Sequence, residues 1–291
     1  MVIPNWKGRK LLEKHLPEVM KAAGYVPNKI LEVVVVDDAS PDDSDEFLEE
    51  SYPQIKIVRH KRNRGFSAAV NSGVRATKGE LVCLLNVDVS PSYDFLVAVL
   101  PYFNAEKVFG VSLHEREYGY GLPKWEGGYI GVDMGKEGKR AHKSFYVNGG
   151  SGVFRKKIWE KLGGMDERLL SPFYWEDVDI CYRAAKRGYE MWWEPRAKVV
   201  HEHGSVINPN FPAKKLTLIR ERNWLLFNWK NLISKKLIKE HVLGVVRRSL
   251  KHPGYLRVVG MALLRLPVVL GKREREKKEE KVGDEEVLGM E

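Results

Sequence analysis

Two short apolar runs limit what this chain can fold into. Residues 31–36, broken only by Glu32, and residues 81–85 are rich in β-branched and aliphatic side chains. Both are too short for helices and read as strands covered on both faces, as in a parallel sheet. Each stops at polar residues, Asp37-Asp38-Ala39-Ser40 and Asn86-Val87-Asp88. Between and before them, Leu11, Leu12, Leu16, Val19 and Met20 recur at helical spacing, and residues 44–52 and 66–76 fit further helices. Val2-Ile3-Pro4-Asn5 and residues 55–58 read as two more strands. Strand and helix alternate, so the first hundred residues read as doubly wound α/β. In such sheets ligands sit beyond the carboxyl ends of the strands, where Asp37, Asp38 and Asp88 stand.

Each strand end has two readings. Asp37 and Asp38 could accept hydrogen bonds from a base and a ribose, since ionised carboxylates only accept. They equally suit the start of a helix. Asp88 could hold a divalent cation through oxygen, leaving other positions for phosphate, or be an ordinary strand-end aspartate. His201 and His203 alternate along a strand and face one way, as metal ligands or as structural histidines. Asn63-Arg64-Gly65 precedes a helix and suits an anion or nucleotide, or a plain turn. Asn148-Gly149-Gly150 would let a bulky ligand approach the backbone, or simply permit a turn.

Residues 173–183, Phe-Tyr-Trp-Glu-Asp-Val-Asp-Ile-Cys-Tyr-Arg, crowd three carboxylates into four positions among aromatics. Crowding and an apolar wall both raise carboxylate pKa values, as a general base near neutral pH requires. Acids also favour a first helical turn for its unpaired N–H groups. Residues 113–145 are rich in Gly, Tyr and charge, and read as a mobile loop or short hairpins over the site.

The net charge of +10 is unevenly spread: residues 214–275 hold 16 Lys/Arg against 3 Asp/Glu, and the preceding part is nearly neutral. Leu225, Leu226, Phe227 and Trp229, then apolar groups at 242–246 and 258–264, are interleaved with that charge. This composition suits helices on an anionic membrane face, a helical cap, or a homodimer contact. The sequence therefore divides into a catalytic domain over 1–213, a basic helical extension over 214–271 and a charged, disordered or frayed tail over 272–291. No run of about 20 apolar residues could span a bilayer. Cys83 and Cys181 read as buried thiols of a reducing compartment.

Taken in order, Pro4-Asn5-Trp6, Val36-Asp37-Asp38-Ala39-Ser40, Asn63-Arg64-Gly65, Asn86-Val87-Asp88, Asn148-Gly149-Gly150, Trp175-Glu176-Asp177-Val178-Asp179 and His201-Glu202-His203-Gly204 resemble the family 2 inverting glycosyltransferases of GT-A fold, over about residues 1–230. The closest look is the rhamnosyltransferase-like branch. The resemblance implies that Pro4, Asn5, Asp37, Asp38, Asn63, Arg64, Gly65 and Asn86 hold the donor nucleotide. It implies Mg2+ or Mn2+ at Asp88 with His201 or His203, and Asp177 as catalytic base beside Glu176, with Asp179 in support. Asn148, Gly149, Gly150 and Trp175 would face sugar and acceptor. The position matching the first acid of the family's DxD-like motif is Asn86.

The expected activity is transfer from a UDP-, dTDP- or GDP-sugar to a glycan or polyprenyl-linked hydroxyl. The expected setting is the cytoplasm, peripheral on the inner face of the cell membrane, with no nucleic-acid partner. Two rivals remain. A nucleotidyltransferase would carry a Gly-rich basic loop after the first strand, which Pro4-Asn5-Trp6-Lys7-Gly8 matches poorly. A catalytically silent membrane-surface binding protein would not need Glu176 and Asp177.

Overall fold

Residues 1–290 are described by a computed structural model. The first part alternates as expected: β1 (Val2–Asn5), α1 (Arg9–Gly24), β2 (Val34–Asp37), α2 (Ser44–Ser51), β3 (Lys56–Arg59), α3 (Phe66–Ala76), β4 (Leu81–Leu85) and the short β5 (Val89–Pro91). There follow β6 (Val108–Glu115), β7 (Gly121–Glu126), β8 (Tyr129–Met134), β9 (His142–Lys143), β10 (Ser151–Arg155), α4 (Lys156–Leu162), α5 (Glu176–Ala185) and the long β11 (Glu190–His201). Helices complete the chain: α6 (Ile207–Asn210), α7 (Ala213–Asn231), α8 (Lys235–Lys251), α9 (Tyr255–Leu263), α10 (Leu266–Glu279) and α11 (Asp284–Val287).

The main sheet has the order β3-β2-β1-β4-β10-β6-β11-β5, and β9 pairs with β11. Strands β3, β2, β1 and β4 are parallel. Strand β10 runs against both β4 and β6, and β11 runs with β6. The sheet is thus mostly parallel with an inserted reversed strand. Every residue of β2 is buried, because both faces are covered, as its continuous apolar pattern demands. Leu12, Leu16 and Val19 of α1 fill one face. Val70, Val74, Ile158, Trp159 and Ile180, from α3, α4 and α5, fill the other. Strand order reverses between β1 and β4, and the crevice there opens at their carboxyl ends.

The structure takes up the hairpin and helical-cap readings offered by the sequence and departs from the expected frayed tail. Residues 113–145 hold the end of β6 and a β7–β8 hairpin, with Tyr129 and Ile130 buried. The hairpin is clamped to the C-terminal helices: Ile130 N donates to Asn228 Oδ1 (2.9 Å), and His241 Nδ1 pairs with Gly128 O (2.7 Å). Leu225, Leu226 and Phe227 do not face a membrane. They are buried in a third core with the hairpin, Leu169, Leu170 and Tyr182. The tail is not frayed: α10 runs across the expected 271/272 boundary, and α11 docks. The tail's acids meet buried cations of α5 and its C-terminal end. Lys186 contacts Asp284 (2.8 Å), and Arg187 contacts Glu276 (2.7 Å) and Glu279 (2.6 Å). A count of charges treats them as solvated, whereas buried Lys186 and Arg187 each have an acidic partner. No helix among the described residues is long and apolar enough to cross a membrane.

Candidate active site

A cleft of about 630 Å³ lies at the crevice. Pro4, Asn5 and Trp6 at the end of β1 form one wall, and Asp38, Asn63 and Gly65 form another. Asn86, Val87 and Asp88 after β4, with His201 at the end of β11 and His203 just beyond it, form the floor. Tyr118, Phe173, Tyr174, Phe211 and Arg220 line the remainder.

The two aspartates of the β2 end divide. Asp38 lines the cleft, but its oxygens accept from Arg64 N (2.9 Å) and Gly65 N (2.8 Å) and contact His60 Nδ1 (2.6 Å). It therefore shapes the 63–65 turn more than it offers free acceptors. Asp37 is withdrawn from the cleft, held by Asn5 Nδ2 (3.2 Å) and Ser40 N (3.1 Å). Burial raises its pKa. The Arg64 side chain also turns away, to Glu167 at 2.8 Å. Gly65 sits at φ +87°, where a Cβ would come within 2.9 Å of Pro172 O, so no other residue fits this turn.

His201 and His203 at the floor, with buried Glu115, bring ligand atoms within 4.8 Å of one another. His201 Nδ1 lies 3.1 Å from Glu115 Oε1, and His203 Nε2 lies 2.9 Å from Glu115 Oε2. Buried Glu115 Oε2 and His201 Nδ1 nevertheless have no hydrogen-bond partner. A carboxylate and two imidazoles gathered this closely fit a cation, and that donor set suits Mn2+ better than Mg2+. Asp88 reaches this trio through His201 Nε2 (3.1 Å) and also accepts from Ser205 Oγ. Burial alone would lower the His201 pKa, but Asp88 and Glu115 raise it to about 9. Glu115 was missed by sequence reasoning. The signal was there, an acid ending an apolar strand, but it lay in a segment read as loop.

A second chain of contacts leads from this floor to the acidic stretch. Asn148 Nδ2 donates to Glu115 Oε1 (2.9 Å), and Gly150 N donates to Asn148 Oδ1 (2.8 Å). A Cβ on Gly150 would lie 2.4 Å from the Asn86 amide. Gly149 N points at Asp177 Oδ2 (3.3 Å). Asp177 is half-buried and has no cationic partner among the described residues; burial raises its pKa against the opposing pull of the Val178 and Gly149 N–H groups. Glu176 is buried with Oε2 unpaired, and burial plus the charge of Asp177 raises its pKa well above the usual range. Neither carboxylate lines the cleft itself. Asp177 sits beside Gly149.

Two expected site residues serve the scaffold. Asp179 is fully buried and bound to Arg183 (2.9 Å), Lys230 and Asn231, which ties α5 to α7. Trp175 stacks on Trp224 (5.7 Å, 8°) and Phe227 (5.3 Å), so its ring is engaged by α7. Tyr174 and Trp175 adopt φ of +78° and +75°, at a cost on the order of 1 kcal/mol or more each. Asn223 of α7 holds this turn through the carbonyls of Leu170, Phe173 and Tyr174.

Residues 1–163 match the family model described as glycosyl transferase family 2. The chain belongs to glycosyl transferase family 2. Among curated relatives of this family-2 chain, the pre-mycofactocin glycosyltransferase of Mycobacterium tuberculosis is 32% identical over 183 residues, covering 60% of this chain and 38% of the relative. The beta-monoglucosyldiacylglycerol synthase of Trichormus variabilis is 27% identical, covering 54% of this chain and 35% of the relative. The chain thus spans well under half the length of these relatives. Among solved structures, GalNAc-T7 with UDP, GalNAc and Mn2+ superposes with TM-score 0.62 at 18% identity, covering 81% of this chain and 48% of that one. The mannosyltransferase PcManGT of Pyrobaculum calidifontis, in complex with GDP-Man and Mn2+, gives 0.58 at 17%, covering 96% and 84%. These likenesses establish the GT-A fold of the family-2 chain.

Proposed function

We propose that this chain transfers a sugar, with inversion, from a nucleotide-diphosphate sugar to a hydroxyl of a glycan or lipid-linked acceptor. The observation that carries the reading is the Glu115–His201–His203 cluster, whose two histidines line a cleft walled by Pro4–Trp6, Asp38 and Asn86. The donor nucleotide, UDP, dTDP or GDP, would lie along Pro4, Asn5, Asn63, Gly65 and Asn86. Asp38 would act mainly by fixing the turn. Glu115, His201 and His203, with Asp88 behind His201, would hold Mn2+ or Mg2+, which neutralises charge on a leaving diphosphate.

The acceptor oxygen attacks the anomeric carbon as the bond to the diphosphate breaks, and its proton passes to Asp177. The raised pKa and freedom from cations suit Asp177 to that role. Glu176 would stay protonated beside it and spare the pair a second charge. Asn148, Gly149 and Gly150 would place the sugar between base and cation.

Peripheral association is proposed for α8. Val242, Leu243, Val246 and Leu250 are exposed there, interleaved with exposed Lys235, Lys236, Lys239, Arg247 and Lys251. That pattern suits an anionic membrane surface.

The test is a panel of UDP-, dTDP- and GDP-sugars with Mn2+, following nucleoside diphosphate release and the anomeric configuration of product. Retention of configuration would sink the mechanism. Pyrophosphate release from a nucleoside triphosphate and a sugar 1-phosphate would instead indicate a nucleotidyltransferase. Silence with every donor would favour a binding protein.

A further inference from the structure

Beside the donor cleft lies a second groove of about 610 Å³, between α7 and α9. The two share Pro172 and Phe211 as a common wall. Four cations line the groove, Lys214, Lys215, Arg222 and Arg257, and no carboxylate does. Its floor is apolar, with Leu218, Ile219 and Met261.

Arg222 is the unusual member. It is only 8% exposed, yet it forms no ion pair among the described residues. Its Nε and Nη2 donate to Asn223 Oδ1 and Nη2 also to the Ser171 carbonyl, while Nη1 has no hydrogen bond among the described residues. Burial, then the charge of Arg265, lowers its pKa to about 10. A buried guanidinium without an anion is costly, and an incoming anion would supply the missing partner. A phosphate matches the planar fork of arginine, and lysines at the rim add charge. The apolar floor would remain uncovered by a bare phosphate and suits a hydrocarbon chain.

We propose that this groove holds the phosphate and the adjoining hydrocarbon of a lipid-linked acceptor, whose sugar hydroxyl then passes Pro172 and Phe211 into the donor cleft. The assignment rests on the glycosyltransferase reading and names the acceptor class for it.

Calorimetric titration of the full chain tests it, with farnesyl phosphate, farnesol and inorganic phosphate as probes. Farnesyl phosphate is expected to bind at least about tenfold more tightly than either other probe. Because Arg222→Gln could unfold the chain, the exposed Lys215→Gln/Arg257→Gln pair is the informative variant. It should weaken farnesyl phosphate about tenfold or more. Equal binding of farnesol, equal binding of phosphate, or unchanged affinity in the double variant would overturn the proposal. So would loss of phosphatidylglycerol-vesicle binding in that variant with farnesyl phosphate unaffected, which would assign the groove to bilayer headgroups. A dimer in sedimentation that the variant breaks would assign the groove to a second copy and would equally overturn the proposal. A separate titration with UDP, dTDP and GDP in Mn2+ reads the donor cleft alone, so failure of the transferase reading shows independently.

Discussion

Asn223 of α7 donates its Nδ2 to the carbonyl of Phe173 at 2.8 Å, and the same nitrogen reaches the carbonyls of Leu170 and Tyr174. A single amide from the C-terminal helices thus holds the turn that starts α5 and aims Glu176 and Asp177. The family match ends at residue 163, so both this turn and its clamp lie beyond it.

Asn223→Ala should leave those carbonyls short of a donor in a fully buried site, costing about 2–4 kcal/mol. At about 2–4 °C per kcal/mol for a chain of this size, the melting temperature should fall by several degrees. Turnover should fall further than KM rises, since the base is displaced more than the donor. An unchanged melting temperature would show that the clamp contributes nothing.

Asp177→Asn should reduce transfer by about 100-fold or more, the usual scale for a general base. In the parent chain Asp177 must be ionised to act, and burial raises its pKa. Activity should therefore be lost as pH falls, along a limb centred above the ordinary aspartate value of about 3.9. The variant should have a flat profile there. If the same acid limb persists in Asp177→Asn, the base is another group.

Glu115→Gln and His203→Ala should each weaken Mn2+ binding by about 10–100-fold, measured by metal titration without substrate. Asp88→Ala should have a smaller effect, because Asp88 reaches the trio only through His201. The reverse ranking would return the metal to Asp88 and leave Glu115 as scaffold.

Asp284→Ala removes the carboxylate that meets Lys186 Nζ and Tyr182 Oη at 2.8 Å and also accepts from Ser234 N at 2.7 Å. Lys186 is 1% exposed and keeps the Asn231 carbonyl at 3.1 Å and, as its acidic partner, only Glu280 at 3.2 Å. Removing one partner from a buried pair costs about 3–5 kcal/mol, so denaturant unfolding should shift markedly. A tail that could be changed at Asp284 without loss of stability would be a loose appendage after all.

The α/β alternation and the positions of the strand ends were legible in the sequence because they are local. A four-residue β-branched strand such as β2 shows its burial directly, and a polar residue at its end shows where the sheet stops. Asp88, His201 and His203 were brought together by the family resemblance, and the sheet does carry their strand ends to one edge. The use of each carboxylate was not legible. Asp38 and Asp177 look alike in sequence, yet one is bound by the amides of its neighbouring turn and the other is free of cations.

Thus the sequence by itself determined the sheet, its two covered faces and the edge at which chemistry would occur. Hydrophobic period and strand-end composition carry that information. Only the tertiary structure decided that Glu115 joins the histidines, that α7 packs inward and clamps the turn before Asp177, and that the charged tail is docked. Those outcomes depend on pairing between groups far apart in the chain. Asp284 lies 98 residues from Lys186, and Asn223 lies 50 from Phe173. A buried charge or an orphaned amide finds its partner by geometry, and no local pattern records which one it will be.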